Sequence, residues 1–256
     1  MRAWRPPVPG VVEVFHASMT DYAYPPHCHD VWTILILDDG VVRYDLDQHE
    51  RTSGSTSVNV LPPFVVHDGR PLAHSFRKRV LYLDDTWLSH DLIGAAVDDS
   101  VLDDARLRRA IERVHAAIDR HDDLAAETGL AIAAEHLGER MGVDTPRVAH
   151  ESTAAHRFRR LLDDHAERSV TLLDAARVLD RNPTHLARSF AATFGISPHA
   201  YVTGRRVDAA RRLLLDGMPA ADVAAAVGFH DQAHLTRHFR RHTSTTPARF
   251  ARSGRR

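Results

Sequence analysis

One pattern in the last third of the chain occurs twice. The first copy carries Ala176, Asp180, Leu186, Arg188, Phe190, Pro198 and Tyr201. The second carries Ala224, Gly228, Leu235, Arg237, Phe239, Pro247 and Phe250. In each copy Leu-x-Arg-x-Phe is followed, eight positions after the phenylalanine, by Pro-x-x-aromatic. An alanine stands four positions before the turn residue both times. Leucine and phenylalanine four apart share one helix face. Each copy therefore reads as a short helix, a turn, and a second helix whose apolar face docks on the first. This is the helix-turn-helix unit, whose second helix is of the kind that enters a DNA major groove. Two units in one chain point to a reader of duplex DNA across successive grooves.

Charge supports a polyanionic partner. Residues 152–256 carry 18 Arg against 9 Asp and Glu, a net +9, and residues 1–151 carry 15 Lys and Arg against 25 Asp and Glu, a net −10. A basic half attracts DNA and an acidic half is repelled by it. No apolar run approaches the roughly 20 residues of a spanning helix, and the Pro-rich start (Met1–Gly10) lacks a signal-peptide core. One cysteine, Cys28, excludes an internal disulfide and reads as an inert thiol. These features place the chain in the cytoplasm, away from membranes.

The composition changes along the chain. Residues 11–83 read as β, with strands at Val31–Leu37, Val41–Asp47, Ser57–Leu61, Val65–His67 and Ser75–Leu83, punctuated by Asp38-Asp39-Gly40 and Pro62-Pro63. Many short strands suggest a small barrel or sandwich. Helical spacing is found next in Leu102–Ile118 and Leu124–Met141, joined by a connection short enough for an antiparallel pair. That pair either packs on the barrel or forms a dimer seam. Residues 1–141 thus form a sensing and dimerisation domain, 142–151 a linker, and 152–256 an all-α domain. In the last, Pro198–Asp216 joins the two units; 19 residues span about 28 Å. Major grooves on one DNA face recur every roughly 34 Å, so both helices reach adjacent grooves only with tilt or bending.

Helix position assigns the reading residues. Thr184, His185 and Arg188 project from the first recognition helix, and Gln232, Thr236 and Arg237 from the second. Arg pairs with guanine, Gln with adenine, and Thr touches a thymine methyl. A buried salt bridge is the structural alternative for either Arg188 or Arg237. Arg205, Arg206, Arg211, Arg212, Arg240, Arg241 and Arg249 are expected on phosphates or on solvated surface, and phosphate contacts position the protein without reading sequence.

These motifs resemble the DNA-binding domain of the AraC/XylS family of bacterial transcription regulators. The resemblance covers about 100 residues through Ala176-x3-Asp180, Leu186-x-Arg188-x-Phe190, Gly195-Ile-Ser-Pro198, Ala224-x3-Gly228-Phe229 and Leu235-x-Arg237-x-Phe239. Two positions depart from the family pattern. Ser244 stands where a glycine usually ends the second recognition helix, and Asp180 replaces the usual turn glycine.

The β-rich half resembles the family's cupin-like sensor through His27-x-His29, the strand Val31–Leu37, Gly40, and Leu61-Pro62-Pro63 with His67 beyond it. The whole fold is then α+β multidomain: a cupin-like β-barrel with an antiparallel helix pair, then two helix-turn-helix units on a long joining helix. The expected effector pocket is lined by Tyr24, His27, His29, Trp32, Tyr44, Phe64 and His67. A divalent metal on His27, His29 and His67 is the alternative use of the histidines. Metal-binding cupins add a glutamate four or five positions on, where this chain has Thr33 and Ile34, so no cofactor is the primary expectation. In family relatives the N-terminal arm can cover the ligand, a role open to Arg2–Gly10 with Trp4.

The function implied is an effector-responsive, sequence-specific transcription regulator, an activator and homodimer that works with RNA polymerase. No nucleophile motif, acid–base pair or complete metal set marks catalysis. An architectural DNA binder without ligand, or a cupin enzyme with a DNA-binding appendage, are the competing readings.

Overall fold

The computed structural model describes residues 1–142, 154–165 and 172–254. Most of the linker expected at 142–151 lies outside these. The chain forms two compact units. One comprises Met1–Ala23, His29–Asp144 and Arg252–Arg256; the other comprises Tyr24–Cys28 and Thr145–Ala251.

The strands are β1 (Arg2–Trp4), β2 (Val11–Thr20), β3 (Tyr24–His27), β4 (Trp32–Asp39), β5 (Val42–Leu46), β6 (His49–Ser53), β7 (Val58–Leu61), β8 (His67–Pro71), β9 (Ser75–Leu83) and β10 (Val101–Leu102). Six of them form an antiparallel sheet in the order β1-β2-β9-β4-β7-β10. A second sheet places β5 between β8 and β6. The segment Val65–His67 is largely loop, because β8 begins at His67. At the start of the chain β1 pairs with β2, Trp4 is buried in the core, and the Arg2 guanidinium lies 3.9 Å over its ring.

The large sheet packs one face on helices. A short α1 (Ile93–Asp98) precedes α2 (Ala105–Asp119) and α3 (Asp123–Met141). Asp104 and Asp122 cap α2 and α3, each accepting from free amides of the first turn. Leu107, Ile111, Val114 and Ile118 meet Leu130, Ala133, Leu137 and Met141 in one core with Trp32, Ile34, Ile36 and Leu81 of the sheet. Gly129 lets the two helices close: a Cβ there would lie 2.8 Å from a Val114 methyl. Beneath α2, His16 Nε2 and His115 Nδ1 stand 3.1 Å apart. Burial holds His115 well below its ordinary value and lowers His16 to about 4.

The helical unit contains α4 (Ala154–Asp164), α5 (Leu172–Val178), α6 (Pro183–Phe194), α7 (Pro198–Leu215), α8 (Ala220–Ala226), α9 (Gln232–Thr243) and α10 (Pro247–Ser253). Leu186, Phe190, Leu235 and Phe239 are fully buried anchors. Phe190 packs against Phe158 and Tyr201, and Phe239 against Phe250. The repeat in sequence is thus a repeat in structure.

Candidate nucleic-acid interface and effector site

Each recognition helix is cut to length by its own sequence. Asn182 accepts from the His185 amide at the start of α6, with Pro183 in the first turn. Asp231 accepts from the His234 amide at the start of α9. That amide, and after it His230, holds the Asp231 carboxyl below the usual carboxylate range. The ends match too. Gly195 terminates α6 at φ 67°, and Ser244 terminates α9 at φ 61°. The serine adopts the left-handed conformation itself, so α9 stops where glycine would have stopped it. Asp180 does the same in the first turn at φ 50°, against 80° for Gly228.

With core and ends pinned, the remaining faces point outward. Thr184, His185 and Arg188 are exposed on α6. Gln232, Arg237 and Arg240 are exposed on α9, with Thr236 half-buried beside them. Gln232, Ala233, Thr236, Arg237 and Arg240 line one shallow depression. Neither Arg188 nor Arg237 is in an ion pair with another described residue. The salt-bridge alternative for these two arginines therefore falls away.

Arg205 requires a correction. Its side chain is only 12% exposed and its Nε donates to Asp163 Oδ1 at 3.1 Å. The Tyr201 hydroxyl donates to the same oxygen at 2.7 Å. Arg205 thus ties α7 to α4 rather than facing phosphate. Helix periodicity places it on the inner side, but only the position of α4 reveals the partner. Arg211 is likewise buried, 3.6 Å from Asp208. Arg241 and Arg249 remain exposed.

In the β-rich unit, His29 and His67 face each other with ring centroids 5.2 Å apart, and Tyr82 meets His29 edge-on at 5.1 Å. The Phe64 amide donates to the His29 carbonyl at 2.7 Å, with Phe64 at φ 63°. Tyr82 was absent from the expected lining. Its pairing with Thr33 across β4 and β9 puts both on the sheet face opposite the helices. Only the register could show this.

Trp32 is the converse case. On β4 it alternates with Thr33, joins Ile34 and Ile36 in the helix-facing core, and is fully buried there. It lies on the opposite side of β4 from Thr33 and Tyr82. Tyr44 is buried, but its hydroxyl donates to Asn59 Oδ1 at 3.1 Å and lies 3.2 Å from Ser100 Oγ. That network occupies the polar end of the ring, and burial pushes the phenol up to about 12. Tyr24 and His27 group with the helical unit, their ring centroids 6.1 Å apart. His27, His29 and His67 are each buried. Cys28 is buried and its thiol is pushed up by that burial.

Comparison with known proteins accounts for both halves. Residues 9–134 match the family model described as an AraC-like ligand binding domain, and residues 175–253 match a helix-turn-helix domain. The chain belongs to the AraC/XylS family of transcription regulators. An uncharacterized HTH-type regulator of Bacillus subtilis, YbfI, is 36% identical over 74 residues, covering 29% of this chain and 27% of that protein. The virulence regulon transcriptional activator VirF of Yersinia enterocolitica is 31% identical over 93 residues, covering 36% of this chain and 34% of VirF. The matched stretch is thus about a third or less of these AraC/XylS relatives' own lengths. Across both units, the fold is similar to ToxT from Vibrio cholerae in an unsaturated-fatty-acid-bound structure, with TM-score 0.63, 13% identity, and 94% and 95% of the two chains covered. Among the described residues of this AraC/XylS chain no helix is long and apolar enough to cross a membrane.

Proposed function

We propose that the protein is an effector-responsive transcription regulator that reads duplex DNA with α6 and α9 in adjacent major grooves. One observation carries this reading. Two capped, equally terminated helices each present an exposed arginine at the same position, Arg188 and Arg237. The joining helix α7 has 18 residues, about 27 Å of rise. Against a groove repeat of roughly 34 Å, the DNA bends or the helices tilt. Selection from a random duplex pool, with footprinting of the selected sites, tests the reading. Two protected patches about one helical turn apart are expected; one patch, or no preference among duplexes, defeats it.

The effector is a small organic molecule bound near His29, His67 and Tyr82. ToxT, solved with an unsaturated fatty acid, makes amphiphilic carboxylates the first class to titrate. A divalent transition metal held by the facing His29 and His67 is the second reading. His67 Nδ1 lies 3.2 Å from the Val65 carbonyl, the kind of second bond that orients a metal-ligating histidine. The missing carboxylate at Thr33 and Ile34 weighs against it. Titration with zinc and with carboxylates, read by heat and by DNA affinity, separates the two.

The same reading makes the protein an activator, as VirF is named, that works in the cytoplasm with RNA polymerase and is not an enzyme. It is a homodimer through the outer face of α3, where Leu124 is 75% and Ile132 44% exposed. Sedimentation of the wild type against Ile132→Glu tests the dimer.

A further inference from the structure

The helical unit contains five residues drawn from early in the chain, Tyr24–Cys28. They pack against α7 and α9. The His27 ring stands edge-on to His242, with centroids 5.9 Å apart at 88°. His242 lies in the last turn of the second recognition helix. On the α7 side, a Cβ built on Gly204 would sit 3.6 Å from the His27 Cβ. Cys28 is 1% exposed, and Arg205, Asp208, Asp163 and Arg159 are its charged neighbours. Pro25 and Pro26 stiffen the segment by fixing φ, and the bond from His27 Nδ1 to the Pro25 carbonyl holds the ring against it.

The geometry of α9 gives this contact its meaning. At 3.6 residues per turn, His242 lies about 160° around the helix from Arg240. The segment therefore touches α9 away from the depression formed by Gln232, Ala233, Thr236, Arg237 and Arg240. It braces the recognition helix and leaves its reading face clear.

We propose that Tyr24–Cys28 is a positioning strap for the second helix-turn-helix unit, with His27 seating α9 through His242 and against Gly204. The strap sets the aim of α9 and has no part in the aim of α6. Loosening it weakens the half of the DNA contact made by the second unit and spares the half made by the first. This rests on the DNA-reading role proposed above, and the test separates the two: if the wild type leaves no footprint, that reading fails first.

The test uses the full chain. Gly204→Ala adds a methyl at ordinary contact distance and leaves the strap seated, whereas Gly204→Leu overfills the space and lifts it. Cys28 is the only cysteine, so its reaction rate with a thiol reagent such as DTNB reports the strap. Cys28 in Gly204→Leu should react at least about tenfold faster than in wild type or Gly204→Ala, as local opening controls access. On a duplex selected by the wild type, hydroxyl-radical protection should fade over the second-unit half alone. His242→Ala, which removes the ring partner and keeps the helix, should shift the footprint the same way and serves if Gly204→Leu fails to fold. Unchanged Cys28 reactivity, a released Cys28 with an intact footprint, or equal fading over both halves would each overturn the strap.

Discussion

Ser244 holds the same left-handed turn at the end of α9 that Gly195 holds at the end of α6, at φ 61° and 67° respectively. A residue with a side chain is disfavoured there by about 1–2 kcal/mol relative to glycine. Ser244→Gly is expected to stabilise the protein by about 1 kcal/mol, and Ser244→Val to destabilise it. Urea unfolding checks both. Neither change touches the reading face, so DNA preference should stay as it is.

Arg188 and Arg237 separate from Arg205 by what each loses. Arg188→Ala or Arg237→Ala should weaken the selected site by roughly 1–3 kcal/mol and relax preference at one base. Arg205→Ala breaks the tie to Asp163 and should lower stability by roughly 1–3 kcal/mol, as for hydrogen bonds to charged groups. Its salt dependence of DNA binding should match wild type. Electrophoretic titration at several salt concentrations, paired with thermal melts, distinguishes the two behaviours.

The His16–His115 pair makes the β-rich unit sensitive to acid. Burial lowers His16 to about 4, with Asp119 opposing and Arg79 and Arg2 adding to the shift. His115 is lowered by burial, then by His16 and Arg79. The unfolded chain binds protons near the ordinary value of 6.5, so below it the unfolded state takes up more protons than the folded one. Stability should be level above pH 7 and should fall as pH drops from about 6.5 toward 4. The urea midpoint at a series of pH values measures this, and His16→Phe should flatten the slope.

Tyr44→Phe discriminates a structural from a ligand-binding tyrosine. The hydroxyl serves Asn59 and Ser100 inside the unit. Its loss should destabilise by about 1–3 kcal/mol and leave effector affinity unchanged. Tyr82→Phe and His67→Ala should reverse that pattern, weakening effector binding with a smaller effect on the melt. Calorimetric unfolding and ligand titration on the same samples decide it.

The two helix-turn-helix units were legible because their signals are local. Caps at Asn182 and Asp231, anchors four apart, and turn residues all lie within a few positions of one another. Ser244 was readable as a departure but not as a harmless one, since its left-handed state depends on the turn into α10. Trp32 misled because Val31–Leu37 is apolar on both faces, which hides the alternation that assigns a side. Tyr82 needed the register with Thr33, and Arg205 needed Asp163, 42 positions upstream. Long-range pairings of this kind leave no periodic trace.

A fragment cut at the apparent sequence boundary, residues 152–256, would keep both recognition helices and lose Tyr24–Cys28. The contact of the His27 ring with His242 and its approach to Gly204 would then be lost. Such a fragment would understate what the second module does in the intact protein, and a synthetic peptide of residues 24–28 added in trans would be its natural complement.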